Sequence, residues 1–221
     1  MTEQQSTPRA SGHVGNYVKG IIYRLVPSGG GQLNPRSRAQ LAQLRRGVGK
    51  EPGSVPEIWD LTLDGLDGAG QGQAATPEEN AVHIALTMFS VHQQAKPMLM
   101  HTSTPFGQAV RRLASTLESS SEDVHEGPVY RRFTQLATAA SLDELTHHAR
   151  ALVTQMRSAD VGFDYGRFAD DLVAFQDPRR VSEVQRRWAR DFHHLRSNGS
   201  APSTDQPETT SSSVPPEGVS A

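Results

Sequence analysis

Pairs of adjacent arginines are the residues of this 221-residue chain whose type and spacing point most directly to chemistry. Five such pairs occur: Arg45 and Arg46, Arg111 and Arg112, Arg131 and Arg132, Arg179 and Arg180, and Arg186 and Arg187. In total, 19 of the 22 basic residues are arginine. A guanidinium group is planar, permanently charged and able to hold a phosphate through two parallel N–H donors. The chemistry that these residues indicate is therefore electrostatic binding of a polyanion, although a single pair on a helix is more often simply solvated.

The net charge of −2 conceals a segregation of charge along the chain. Residues 51–95 contain seven acidic residues and no lysine or arginine. The tail after Arg196 is also acidic, so the basic residues are concentrated in residues 36–50, at the pairs 111–112 and 131–132, and in residues 179–196. If the fold brings these segments together, they form a basic face. Such a face would bind a phosphate backbone with little base preference and with strong salt dependence.

The best-defined basic element is NPRSRAQLAQLRRGVGK, residues 34–50. Leu41, Leu44 and Val48 stand at i, i+3 and i+7, which predicts a helix with one apolar stripe and basic residues beside it. Asparagine followed by proline at 34–35 is typical of a helix N-terminus, and the glycines at 47 and 49 favour a C-terminus.

The rest of the chain also has helical rather than strand periodicity. Capping-box patterns begin helices at Thr76 and Ser141, and no segment alternates at period two. The prediction is an all-α fold, a bundle of about eight or nine helices in two subdomains. The subdomains are expected at 13–118 and 128–197, joined by an acidic connection at 119–127, with a disordered N-terminus at 1–12 and a disordered tail at 198–221. Trp59 and Trp188 are expected to anchor the core.

No catalytic or metal-binding pattern emerges, and no cofactor, catalytic residue or metal ligand is assigned. The chain has no cysteine and lacks the GxSxG, GxxxxGK[ST] and HExxH motifs. The nine histidines are expected at the surface or partly buried. Of Asp170 and Asp171, one is expected to be solvated and the other to pair with an arginine such as Arg167. The N-terminus has no apolar core and no apolar run approaches the roughly 18 residues of a membrane helix, so we expect a soluble cytoplasmic protein without membrane partners.

Several segments together resemble a known family. They are LAQLRRGVGKEPGSVPEIWDL (41–61), AVHIALTMFSVHQQ (81–94), FGQAVRRL (106–113), RRFTQLATAASLDELTHHARALVTQMR (131–157) and DYGRFADDLVAFQDPRRVSEVQRRWARDF (164–192). In these segments the chain is similar to the CasB family, the small subunit of the type I-E CRISPR surveillance complex Cascade. The resemblance covers roughly residues 14–196.

This resemblance implies an all-helical protein with no enzymatic activity of its own. It implies as partners the backbone and large subunits of Cascade, a second copy of the chain, CRISPR RNA, and target DNA including the displaced strand. A basic surface would stabilise the R-loop while base pairing with the RNA reads the sequence. The nucleic-acid-binding role is carried onto Arg36, Arg38, Arg45, Arg46, Lys50, Arg111, Arg112, Arg131 and Arg132.

Two other functions stay open from the sequence. A structural helical interaction subunit would use its arginines on acidic protein partners without touching nucleic acid. A small metal-dependent helical enzyme would use His83, His92 or His147.

Overall fold

The computed structural model describes residues 12–27, 33–66, 74–117 and 127–193. Within these ranges the chain forms nine α-helices and no strand, which confirms the all-α prediction. They are α1 (His13–Leu25), α2 (Pro35–Arg46), α3 (Trp59–Thr62), α4 (Pro77–His92), α5 (Phe106–Leu117), α6 (Pro128–Ala137), α7 (Leu142–Ser158), α8 (Tyr165–Phe175) and α9 (Val181–His193), with a 3-10 turn at Pro56–Ile58. The predicted disordered tail, and nearly all of the predicted disordered N-terminus and acidic connection, lie outside the described residues.

Local sequence signals set the helix starts where they were predicted. At α4, Thr76 Oγ1 accepts a hydrogen bond from the Glu79 amide at 3.1 Å, and Glu79 Oε2 accepts one from the Thr76 amide at 2.7 Å. At α2, Asn34 Oδ1 accepts from the Ser37 amide at 2.7 Å. These bonds satisfy amides that have no partner within the helix. The basic helix ends at Arg46 with Gly47 as its C-cap, as the glycines at 47 and 49 predicted, and Val48 of the predicted stripe lies in the turn that follows.

Helix α4 lies at the centre of the bundle. It packs against α1, α2, α3, α7 and α8, while α1 also packs on α8, α5 on α9, and α6 on α7. One hydrophobic cluster draws residues from helices on both sides of the predicted subdomain boundary. The division into two subdomains stays a prediction. For the site, the important consequence is that both α2 and α7 pack on α4.

Helices α5 and α9 approach closely, and Trp188 is the anchor of their contact. The indole is fully buried, and its Nε1 donates to Asp171 Oδ2 at 2.7 Å. Asp171 also forms an ion pair with Arg187, whose Nε lies 3.0 Å from Oδ1. The core role of Trp188 is thus confirmed. One member of the aspartate pair forms an ion pair with an arginine, as predicted, although the arginine is Arg187 and not Arg167.

Two expectations about buried residues were wrong. Trp59 is 47% exposed, because the 3-10 turn places Ile58 and Leu61 inward and leaves the indole outside, where its Nε1 donates to the Gly53 carbonyl at 2.8 Å. Three of the histidines expected at the surface or partly buried are buried: His83, His92 and His101.

Candidate nucleic-acid interface

The C-terminal end of α2 brings Arg45 into a crowded basic environment. Its Nη1 donates to the Ser90 carbonyl of α4 at 3.3 Å, so the guanidinium lies across the central helix. Burial lowers the pKa of Arg45, and the positive charge of Arg157 lowers it further. Arg157 belongs to α7, so two arginines from separate helices that both pack on α4 lie near each other.

The α7 side of this location carries a second arginine. Arg157 Nη1 donates to Gln94 Oε1 at 3.2 Å, just beyond the end of α4. Arg150 lies seven residues earlier, which is two helical turns or roughly 10 Å along the same side of α7. Its Nη1 is 3.9 Å from the point where a Cβ on Gly49 would stand, so it reaches the turn after α2 that also carries Lys50. We name these residues the α2–α7 basic patch: Arg45, Lys50, Arg150 and Arg157.

The α2–α7 basic patch brings like charges together without a carboxylate ion-paired to them in the part of the chain that the structure describes. Their mutual repulsion is relieved when an anion enters, because opposite charges a few ångströms away favour the charged form of each group. The arrangement is therefore suited to binding an anion that offers several charges.

The basic surface continues past the end of α4. Lys96 and Arg157 both lower the pKa of the buried His92, so both charges lie near the same imidazole. Lys96 Nζ lies 2.6 Å from Asp160 Oδ1. Asp160 also borders a groove of about 500 Å³ that Arg112 lines together with hydroxyl-bearing residues: Thr102, Ser115 and Thr116. Arg112 and Asp160 thus border the same groove.

Comparison with known proteins decides the family. The family model for the CRISPR-associated protein Cse2 matches residues 40–193. The chain belongs to the Cse2 family. The crystal structure of CasB from Thermobifida fusca is 33% identical, with a TM-score of 0.67 over 84% of this chain and 100% of that chain.

More distant structures share the fold of this Cse2-family chain. A Cse2-family protein from Thermus thermophilus is 22% identical, with a TM-score of 0.59 over 83% of this chain and 99% of that one. CasB from M. ruber is 18% identical, with a TM-score of 0.55 over 80% and 92% of the two chains. Comparison with curated proteins gives no match.

Adjacent arginines of the Cse2-family chain are separated by the helices that carry them. The Arg111 guanidinium lies 5.5 Å above the centre of the Phe192 ring, against α9. Arg112 points to the groove, and its Nη1 donates to Thr104 Oγ1 at 3.2 Å. Of the first pair, Arg45 joins the α2–α7 basic patch while Arg46 is exposed. Each of these two pairs therefore supplies one residue to the candidate interface.

The remaining predicted residues are not brought to this surface by any contact in the described chain. Arg36 lines a separate cleft of about 410 Å³ with Arg24, Asp60 and Asp64, where carboxylates accompany the arginines. Four others are exposed or half-buried without a described ion pair: Arg38, Arg46, Arg131 and Arg132.

Three basic residues of this surface were missed from the sequence: Lys96, Arg150 and Arg157. Arg150 and Arg157 were not predicted because neither is adjacent to another arginine. Their spacing of seven residues nevertheless places them on one side of a helix. That spacing was the available signal. Lys96 follows α4 in a loop and carries no periodic signal.

The described residues also bear on metal sites and on membrane spans. Among residues 12–27, 33–66, 74–117 and 127–193, no group of three or more histidine or carboxylate side chains could hold a metal ion. No helix in these ranges is long and apolar enough to cross a membrane.

Proposed function

We propose that this Cse2-family protein is a non-catalytic small subunit of a CRISPR RNA-guided Cascade complex. In this role the α2–α7 basic patch binds the sugar-phosphate backbone of nucleic acid and stabilises target DNA and the displaced strand in the R-loop. The observation that carries the proposal is the convergence of Arg45, Arg150 and Arg157 from two helices, without a carboxylate paired to any of them in the described chain. Family membership supports the assembly, whose other members would be the backbone and large subunits, a second copy of this chain, and CRISPR RNA.

The patch suits a backbone ligand rather than a base-reading role. Guanidinium groups fork onto phosphate oxygens, and such contacts position a strand without reporting its sequence. In an RNA-guided complex, base pairing reads the sequence, and strand exchange is nearly balanced in free energy. A few additional phosphate contacts are then enough to favour the opened duplex.

The test is binding of single-stranded DNA to the full-length protein as a function of salt. We expect Arg45→Gln/Arg157→Gln to weaken binding about a hundredfold or more, since each of the two charged hydrogen bonds contributes about 1.5–3 kcal/mol. The slope of log affinity against log salt should become shallower by about 1.4, or about 0.7 for each phosphate that the variant no longer neutralises. Fluorescence anisotropy between about 50 and 200 mM salt measures both quantities.

The matched control removes the same charge elsewhere. Arg179→Gln/Arg186→Gln alters two exposed arginines next to and on α9, and it should bind DNA as wild type does. A cooperative thermal unfolding transition shows whether the Arg45→Gln/Arg157→Gln variant is folded. If the folded variant binds DNA with the same affinity and salt slope as wild type, the proposal is overturned. Wild type that shows no salt-dependent binding would favour the alternative, a structural interaction subunit.

A further inference from the structure

We propose that Lys96 is an additional phosphate-binding residue of this surface, and that Asp160 occupies it in the free protein and so limits nucleic-acid affinity. The inference rests on the proposed function and assigns to it two residues, one attractive and one opposing. On this inference, the Lys96–Asp160 ion pair controls the affinity of sequence-independent nucleic-acid binding.

The geometry of the pair places the carboxylate outside the ammonium. Lys96 Nζ and Asp160 Oδ1 are 2.6 Å apart, and the lysine side chain is 17% exposed while that of the aspartate is 69% exposed. An approaching phosphate therefore meets the negative charge of Asp160 before it can reach Lys96. Binding at Lys96 requires the carboxylate to move aside.

The Asp160 carboxylate lies close to other residues of the basic surface as well as to Lys96. Its amide donates to the Arg157 carbonyl at 3.4 Å, so it directly follows the α7 end of the basic patch. It also borders the groove lined by Arg112. A strand that contacts both Arg157 and Arg112 would therefore come near the carboxylate of Asp160.

Helix geometry explains a residue that tolerates positive φ at position 160, but it does not require a charged one. The residue has φ of +55° and follows the C-cap of α7, and the Val161 amide donates to the Met156 carbonyl at 3.0 Å. Glycine, and after it asparagine, is preferred at this position of a helix end. An ion pair whose acid is largely exposed contributes little to stability. The clearest physical consequence of Asp160 is therefore its charge on the basic surface.

Lys96 is held in place independently of Asp160. Gln93, which is buried, donates from Nε2 to the carbonyls of Lys96 at 3.2 Å and Met98 at 2.9 Å, and its Oε1 accepts from the Met100 amide at 2.9 Å. Removing the carboxylate should consequently free the ammonium without displacing the loop.

The experiment compares Asp160→Asn with wild type in the salt titration described above. Asparagine keeps the size and tolerates the backbone conformation, so we expect affinity for single-stranded DNA to rise about three- to tenfold. The salt slope should become steeper by about 0.7, the value for one more phosphate contact. Adding Lys96→Gln to Asp160→Asn should return both affinity and slope to wild-type values.

Asp143→Asn is the matched control. It makes the same substitution on an exposed residue in the first turn of α7, 17 residues or roughly 25 Å away along the helix. An Asp160→Asn affinity no greater than that of Asp143→Asn overturns the inference, as does a gain that persists in Asp160→Asn/Lys96→Gln. These failures differ from failure of the proposed function, which shows in the Arg45→Gln/Arg157→Gln variant.

Discussion

Acid should destabilise this protein through His92, a histidine buried at the centre of the fold. Its Nδ1 lies 2.9 Å from the Tyr165 hydroxyl, and its ring stacks on Phe163 with 5.7 Å between centroids. Burial lowers the pKa of His92 to about 3, helped by the charges of Lys96 and Arg157 and opposed by the Val161 carbonyl. The unfolded chain protonates this imidazole near pH 6.5.

The direction and size of the effect follow from these two pKa values. Between about pH 6.5 and pH 3 the unfolded state binds a proton that the folded state does not, so stability falls as the pH falls through this interval. The free energy of unfolding should decrease by about 2 kcal/mol between pH 7 and pH 5 from His92 alone. Burial also lowers the pKa values of His83 and His101, so both act in the same direction.

Urea unfolding at pH 7, 6 and 5, followed by circular dichroism, measures this loss. His92→Asn retains a polar atom near Tyr165 but loses the ring that stacks on Phe163, so the variant should be less stable at pH 7. Because asparagine does not take up a proton, the variant should lose about 2 kcal/mol less free energy of unfolding than wild type on acidification. His147→Asn, on the exposed side of α7, serves as the control and should keep the wild-type pH dependence. Equal pH dependence in wild type and His92→Asn would refute this reasoning.

Two further predictions concern packing. Gly107→Ala should lower the free energy of unfolding by about 1–3 kcal/mol, because its Cβ would lie 2.3 Å from the Trp188 carbonyl oxygen. Gly20→Ala, whose Cβ would meet nothing within 4 Å, should instead stabilise α1 by up to about 1 kcal/mol, and urea unfolding compares the two. Arg111→Ala should be destabilised by about 0.5–1 kcal/mol, because alanine cannot cover the Phe192 ring, and its salt slope of DNA binding should be unchanged. Arg112→Ala should weaken DNA binding and make the salt slope shallower, with little change in the urea midpoint. A salt slope that changes for Arg111→Ala but not for Arg112→Ala would contradict both assignments.

Elements with a complete local signal were predictable from the sequence. The starts of α2 and α4 depend on residues within four positions of each other, as with Thr76 and Glu79, so no tertiary information is needed to place them. The apolar stripe of α9 fixes its inward face, and Trp188 is buried as expected. These signals are strong because the cap and the stripe belong to the same short segment.

Burial decided by a neighbouring element could not be predicted in this way. Trp59 is apolar and follows Ile58 directly, but a 3-10 turn changes the rotation per residue just before it, which redirects the indole to the surface. His83 lies on the central helix α4 and is covered by the turn that follows α2. Its Nε2 lies 2.9 Å from the Gly47 carbonyl oxygen in that turn. Such a contact joins residues 36 positions apart and leaves no periodic trace in either segment.

The candidate interface shows why pairs of basic residues mislead about a helical surface. Neighbours on a helix point about 100° apart, so Arg111 reaches Phe192 on α9 while Arg112 reaches the groove beside Asp160. A surface is built instead from residues three, four or seven apart and from separate helices that a third one holds together. Here α4 places Arg45 of α2 beside Arg157 of α7, and neither residue owes its position to its own sequence neighbour. Charge segregation along the chain therefore predicts that a basic face exists, whereas the packing around α4 determines which arginines compose it.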